Sequence, residues 1–373
     1  MSVQVLDYSG TQLIFRQEDG LLHVPDTEAL LVWQALRSGI SVVDICTQIA
    51  AQHEQAECLA KLNQLQTQWQ AQGLLDQLSA PPHPTACYCQ WIQPAQEPVA
   101  VYTNYLAIHE YIAYVYRACL LAESHNSVAA SLTIVFQEPQ NTYQLFVNQT
   151  LKHEHLSKDQ ALIVLCYEIG ELATHEEPRL LVFHAAAVAY RENTLLMPAQ
   201  AGRGKTTLTA TLLAHNAQLI NDDIVPLNHD GTVTAINQPL KIKAGAWDVV
   251  GLLYPELERL PAVQRPDGIW MKHLSLPAAL VCQAGSRYSV QVMVVPEFNQ
   301  DAAVPTLVAL NPVQTLQHLL AAEPYFTHTL TRPYLQRLLQ WLAPLPGYKI
   351  TYSNSQDAML LLDTICQELP AHA

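Results

Sequence analysis

The run Leu195-Leu196-Met197-Pro198-Ala199-Gln200-Ala201-Gly202-Arg203-Gly204-Lys205-Thr206-Thr207 constrains the fold of this chain more than any other stretch. An apolar strand must give way, through a loop holding two glycines, to a helix predicted from Leu208 to His215. Glycine at 202 and 204 lets backbone N–H groups turn inward without a Cβ clash, and the helix N-terminus adds partial positive charge. The pattern is that of a phosphate cradle: Lys205 reaches the β- and γ-phosphates of ATP, and the Thr206 hydroxyl holds Mg²⁺. Ala201, Gly202, Arg203, Gly204, Lys205, Thr206 and Thr207 form the expected nucleotide-binding segment. Ala199 stands where the pattern usually begins with glycine.

One helix later comes Ala217-Gln218-Leu219-Ile220-Asn221-Asp222-Asp223, a short strand ending in adjacent carboxylates. Phosphoryl transfer needs a metal to bridge phosphate oxygens and a base to take the acceptor's proton. Two acids beside a phosphate loop divide those tasks, and strand alternation predicts that they point to opposite faces. Further on, Lys241 and Lys243 alternate on a predicted strand and share a face. Lys243 joins the candidate nucleotide contacts, whereas Lys241 and Lys272 read as solvent-exposed charges.

In their order, His184-Ala185-Ala186-Ala187-Val188, the loop from Ala199 to Thr207 and Ile220-Asn221-Asp222-Asp223 resemble HPr kinase/phosphorylase and its related kinases. Val294-Val295-Pro296-Glu297-Phe298 and Pro312-Val313-Gln314 are similar to the related-kinase branch, and the resemblance covers roughly residues 95–373. It implies an α/β P-loop kinase domain of the HPr kinase and PEP carboxykinase type. It further implies His184 at the active site, Lys205 on the phosphates, Thr206 and Asp223 on Mg²⁺, and Asp222 as base toward the acceptor hydroxyl. A homo-oligomer is implied as well. Departures are Ala199 and Ala201 in the loop, Glu297 where many related kinases carry Arg, and Lys241-Ile242-Lys243 near where the HPr enzymes carry a metal-binding Glu-Ile-Arg-Gly stretch. They argue against HPr itself, and against the reverse phosphorylase reaction, as this chain's business.

Residues 1–78 read as a separate winged-helix unit. Strands are predicted at Val3 to Tyr8, Gln12 to Arg16 and Leu21 to Val24. Helices follow over Ala29 to Arg37, from Ser41 to Ala50, and from about Glu54 to Gln72, with Leu30, Trp33, Leu36, Leu62, Leu65 and Trp69 as apolar stripes. Pro25-Asp26-Thr27-Glu28-Ala29, Trp33-Gln34-Ala35-Leu36 and Gln72-Gly73-Leu74-Leu75 resemble PqqD, the family of peptide-recognition domains in ribosomal peptide modification. The resemblance implies a leader peptide added as an extra strand at Leu21–Val24, held by main-chain hydrogen bonds. The third helix offers a single basic residue, Lys61, which argues against nucleic acid as partner.

At 373 residues the chain accommodates two or three domains. The expected division is 1–78, a proline-rich connector 79–93 and a kinase domain 94–373. A net charge of −14 disfavours anionic polymers and membranes. No apolar run reaches membrane-spanning length, and neither a signal pattern nor disulfide-type spacing of the eight cysteines is present, so a cytoplasmic location is expected. His83, Cys87 and Cys89 lack the second pair that structural zinc requires. Mixed strands and a helix over Lys158 to Ala173 are expected to extend the kinase sheet, as are strands after Asp223. The resulting expectation is an ATP- and Mg²⁺-dependent kinase of a Ser or Thr hydroxyl in a ribosomally made peptide. The alternative is a nucleotide-binding chaperone that presents such a peptide to a partner enzyme.

Overall fold

The computed structural model describes residues 3–8, 11–16, 21–23, 27–37, 88–122, 130–138, 140–177, 179–200, 202–324, 326 and 331–369, with single positions 45, 58, 61, 62, 65 and 69. Strands Val3–Tyr8, Thr11–Arg16 and Leu21–His23 pair antiparallel in chain order, and a helix follows at Thr27–Arg37. The stripe read from the sequence is the core: Leu30, Trp33 and Leu36 pack with Ile14, Ile45, Leu62 and Trp69. Most of the two later helices expected here lies outside the described residues.

A second layer begins at Tyr88. Strands Tyr88–Ile92, Val99–Thr103, Ala130–Gln137, Thr142–Val147 and Thr150–Leu156 form their own five-stranded sheet in chain order. Helix Lys158–Thr174, opened by a capping box between Ser157 and Gln160, lays Leu162, Leu165, Cys166 and Ile169 into the same core as Val101, Leu132, Ile134 and Leu145. Two expectations are corrected. This region does not extend the sheet that carries the phosphate loop, because its hairpins and helix close a core of their own. The connector also ends earlier than 93, since Tyr88–Ile92 is already a strand of that sheet.

The sheet carrying the loop has six strands in the order Gln218–Asp222, Ala185–Tyr190, Asn193–Pro198, Val292–Phe298, Gly347–Tyr352 and Thr306–Leu310. Asn193–Pro198 runs parallel to Val292–Phe298, which runs parallel to Gly347–Tyr352; the other pairs are antiparallel. Strand alternation sorts the side chains between two cores. Ala186, Val188, Leu195 and Met197 meet Leu208, Leu212, Leu362 and Ile365 on one face. Ala185, Ala187 and Leu196 meet Leu319, Leu338 and Leu342 on the other. Both faces are covered, which is why these strands read as unbroken apolar runs. Of the strands expected to continue the sheet after Asp223, only Val292–Phe298 does so. Thr232–Thr234 joins a separate four-stranded sheet, and Leu240–Lys243 pairs with Trp270–Leu274 in a three-stranded one.

His273 sits opposite Lys241 in that last pairing, buried, with its Nδ1 hydrogen-bonded to the Tyr111 hydroxyl. Burial, aided by the nearby Lys241 charge, pushes its pKa down to about 3. The unfolded ring takes a proton below about pH 6.5, where the folded one does not, so stability is intact above that pH and lost as pH falls toward 3. Stability should drop by about 2 kcal/mol between pH 6.5 and 5 from this residue. Urea titrations at the two pH values should show the drop in the wild-type protein and a flattened slope in His273→Gln.

Candidate functional site

The loop between Pro198 and Lys205 is shaped by two residues in the left-handed region, Gly202 at φ 83° and Gly204 at φ 84°. Gly204 is also the cap of helix Lys205–Ala214 and lies against the strand behind it: an added Cβ would stand 3.0 Å from Phe298 Cβ and 3.3 Å from the Tyr352 hydroxyl. Gly204→Ala should therefore cost about 2 kcal/mol in a urea melt, from backbone strain and the clash together. Ala199 is buried at the mouth of the loop, and Ala201 lies outside the described residues.

Lys205, His184 and the two acids lie together in the structure. Lys205 is buried, and its Nζ lies 3.1 Å from His184 Nε2. Burial pushes its pKa down against the pull of Asp222 and Asp223. His184 Nδ1 lies 3.0 Å from Asp223 Oδ1, and Lys241 Nζ lies 2.6 Å from Asp223 Oδ2. An ammonium has only donors, so His184 Nε2 accepts and Nδ1–H donates to Asp223. The result is a continuous chain: Lys205, His184, Asp223, Lys241.

The strand end is fixed by Asn221, whose amide donates to the Thr234 carbonyl and accepts from Ile236 N–H. Asp222 is 7% exposed and lies close enough to the Thr206 hydroxyl to be favoured by it as a carboxylate, and its Oδ1 has no partner among the described residues. Burial pushes its carboxyl pKa up, although Lys205 and Thr206 oppose the shift. Asp223 is different. Its side chain is 32% exposed, and its backbone is left-handed at φ 85°. Burial would raise its pKa, but Lys241, His184 and Lys205 together hold it well below the usual carboxylate range. The left-handed turn lies just past the end of the strand, so simple strand alternation does not carry through Asp223, and both acids are near enough to Lys205 to raise its pKa.

Lys241 corrects a second expectation. It is not a solvent charge: its side chain is 19% exposed and paired with Asp223. Lys243, two residues on, is half-buried and near enough to Lys205 to lower its pKa. Lys272 is anchored away from the loop, donating to the Leu257 and Glu258 carbonyls. Arg203 is half-exposed, 3.7 Å from Glu297, which also binds Lys349 at 2.8 Å. Thr207 accepts a hydrogen bond at its carbonyl from the Thr211 hydroxyl within the helix. The sequence reading missed Tyr352, a buried hydroxyl under the loop without a partner among the described residues. Its only signal was apolar alternation, which any core tyrosine shares.

The donor set suits a magnesium ion that arrives on a nucleotide. A threonine hydroxyl adjoins a carboxylate with an unused buried oxygen. Among the described residues no group of three or more His, Cys, Asp or Glu is placed to hold a metal by itself. His83 and Cys87 lie outside the described residues, and Cys89 is a half-buried free thiol whose pKa burial pushes up to about 12. Among the described residues no helix is long and apolar enough to cross a membrane.

No protein-family model matches the chain, and no curated protein matches it. Among solved structures, the HPr(Ser) kinase/phosphatase from Coxiella burnetii matches at 14% identity and a TM-score of 0.24. The match covers 50% of this chain and 97% of that one. At that score no residue role passes from one to the other, and the site stands on its own geometry.

Proposed function

We propose that this chain is an ATP- and Mg²⁺-dependent kinase that phosphorylates a Ser or Thr hydroxyl of a ribosomally made peptide. The observation that carries the reading is the Lys205–His184–Asp223 chain at the foot of a glycine-shaped loop on a helix N-terminus. Loop amides and Lys205 would bind the β- and γ-phosphates, with Lys243 and Arg203 as outer cations. Thr206 and Asp222 would hold the magnesium, which neutralises developing charge on the phosphates when bound.

This exchanges the roles first expected of the two acids, for two physical reasons. Asp222 is buried with an oxygen to spare, whereas the Asp223 side chain is the more exposed of the two and would meet an acceptor more readily. Both ring nitrogens of His184 are engaged, so it orients Asp223 rather than acting as the base itself. In the transfer, the acceptor oxygen attacks the γ-phosphorus, its proton passes to the Asp223 carboxylate, and ADP leaves from the β–γ bridge.

The division into a peptide-gripping unit at 1–78 and a kinase beyond the connector belongs to the same proposal. Leu21–His23 is an edge strand of its sheet, the position a leader would extend by strand addition. A short tether raises the acceptor concentration at the site to roughly millimolar. The test is incubation of the whole chain with ATP, Mg²⁺ and short Ser- or Thr-containing candidate peptides, followed by mass measurement. Gain of one phosphate supports the kinase. A tight complex without mass change contradicts it and favours a presenting chaperone.

A further inference from the structure

Lys241 contributes to the site in a way that the nucleotide-binding pattern does not require. Its strand, Leu240–Lys243, buries Leu240 and Ile242 in the core that holds the phosphate-loop helix. Alternation therefore turns Lys241 to the opposite face, toward Asp223. Its Nζ lies 2.6 Å from Asp223 Oδ2. Asp223 itself sits in a left-handed turn at φ 85°, a conformation that aspartate tolerates better than most residues. His184 secures one oxygen of that carboxylate and Lys241 the other.

We propose that Lys241 is a positioning residue for phosphoryl transfer: its ammonium clamps the second oxygen of Asp223 and aims the carboxylate at the acceptor. The inference rests on the kinase reading and adds a residue to it. A largely buried charge pair contributes little to stability compared with an apolar pair of the same volume. What it fixes is geometry, since the direction of Asp223 is set from both sides. Transfer is sensitive to such placement, a displacement of about 1 Å costing on the order of 10²-fold. Lys241 touches neither phosphate nor acceptor in this account, so its effect must pass through Asp223.

The test uses the full-length chain with MgATP, measuring affinity by calorimetry and turnover as hydrolysis, with water as acceptor. Lys241→Met should slow turnover about 10²-fold while the MgATP dissociation constant stays within about threefold. In the Asp223→Asn background the same change should alter turnover by less than about threefold, because the group it positions is already gone. Should Lys241→Met not fold, Lys241→Arg takes its place. It keeps the charge, displaces the Asp223 contact, and should slow turnover roughly tenfold with unchanged affinity. Full turnover in either folded variant overturns the proposal alone, as does an equal loss in the wild-type and Asp223→Asn backgrounds. A wild-type protein that binds MgATP but turns it over neither with water nor with a Ser- or Thr-containing peptide removes the kinase reading, and the proposal with it.

Discussion

Asp223→Asn should lower phosphoryl transfer by about 10³-fold while MgATP still binds. The amide has nearly the shape of the carboxylate, and its oxygen can still accept from His184 Nδ1–H or from Lys241. What it lacks is the charge and the basic oxygen that takes the acceptor's proton. Nucleotide affinity should move little, because Asp223 faces His184 and Lys241 rather than the loop amides. Asp222→Asn gives a contrasting pattern. The Thr206–Asp222 pair lies against the loop, so magnesium-dependent nucleotide affinity falls together with transfer. Calorimetry with MgATP and a single-turnover assay on the two variants separate these outcomes. If Asp223→Asn transfers at the wild-type rate, the acid assignment is wrong.

Lys205→Met should be the most damaging change for nucleotide binding. Lys205 opens the helix Lys205–Ala214 that follows the loop and is buried. Its charge is held in the folded protein against a burial cost that Asp222 and Asp223 partly offset. Methionine fills similar space without a charge, so the fold should survive, and circular dichroism will show whether it does. Loss of a charge-assisted contact to phosphate is worth about 1.5–3 kcal/mol, which corresponds to roughly 10- to 150-fold in MgATP affinity. Transfer should fall further than affinity, since charge builds on the same oxygens in the transition state. A folded Lys205→Met that binds MgATP as tightly as wild type would remove the loop from the account.

What the sequence made legible was local. The loop, the helix it caps and the strand ending at Asp222 are set by neighbouring residues. Glycine at 202 and 204 can mean little else between an apolar strand and Lys-Thr-Thr. The N-terminal core was legible for the same reason, its apolar stripes repeating at helical spacing through Trp33, Leu36 and Trp69. Sheet membership was not, because strand pairing is decided by residues far apart in the chain. Tyr88–Ile92 looked like connector, and Leu240–Lys243 like a strand of the loop-bearing sheet, until their partners were in view.

In the sequence Lys241 reads as a solvent charge for a related reason. A lysine alternating with apolar residues is usually a solvent charge, and only the layer packed over it makes it an interior one. Asp223 carried no sign of its left-handed backbone either, since aspartate tolerates that region without demanding it. In the proposed mechanism that turn sets how Asp223 is presented to the acceptor. Both residues were singled out in advance; their proposed division of roles rests on burial and backbone geometry that neighbouring residues in the chain do not reveal.

Every step of the proposed transfer requires this loop to hold a magnesium nucleotide. Titrating MgATP into the full-length protein by calorimetry is the most direct measurement. The geometry predicts saturable uptake of one nucleotide per chain, with a dissociation constant in the micromolar to millimolar range usual for enzyme substrates, weakened when magnesium is withheld. Absence of any binding heat at millimolar nucleotide, from a protein shown to be folded, would contradict it.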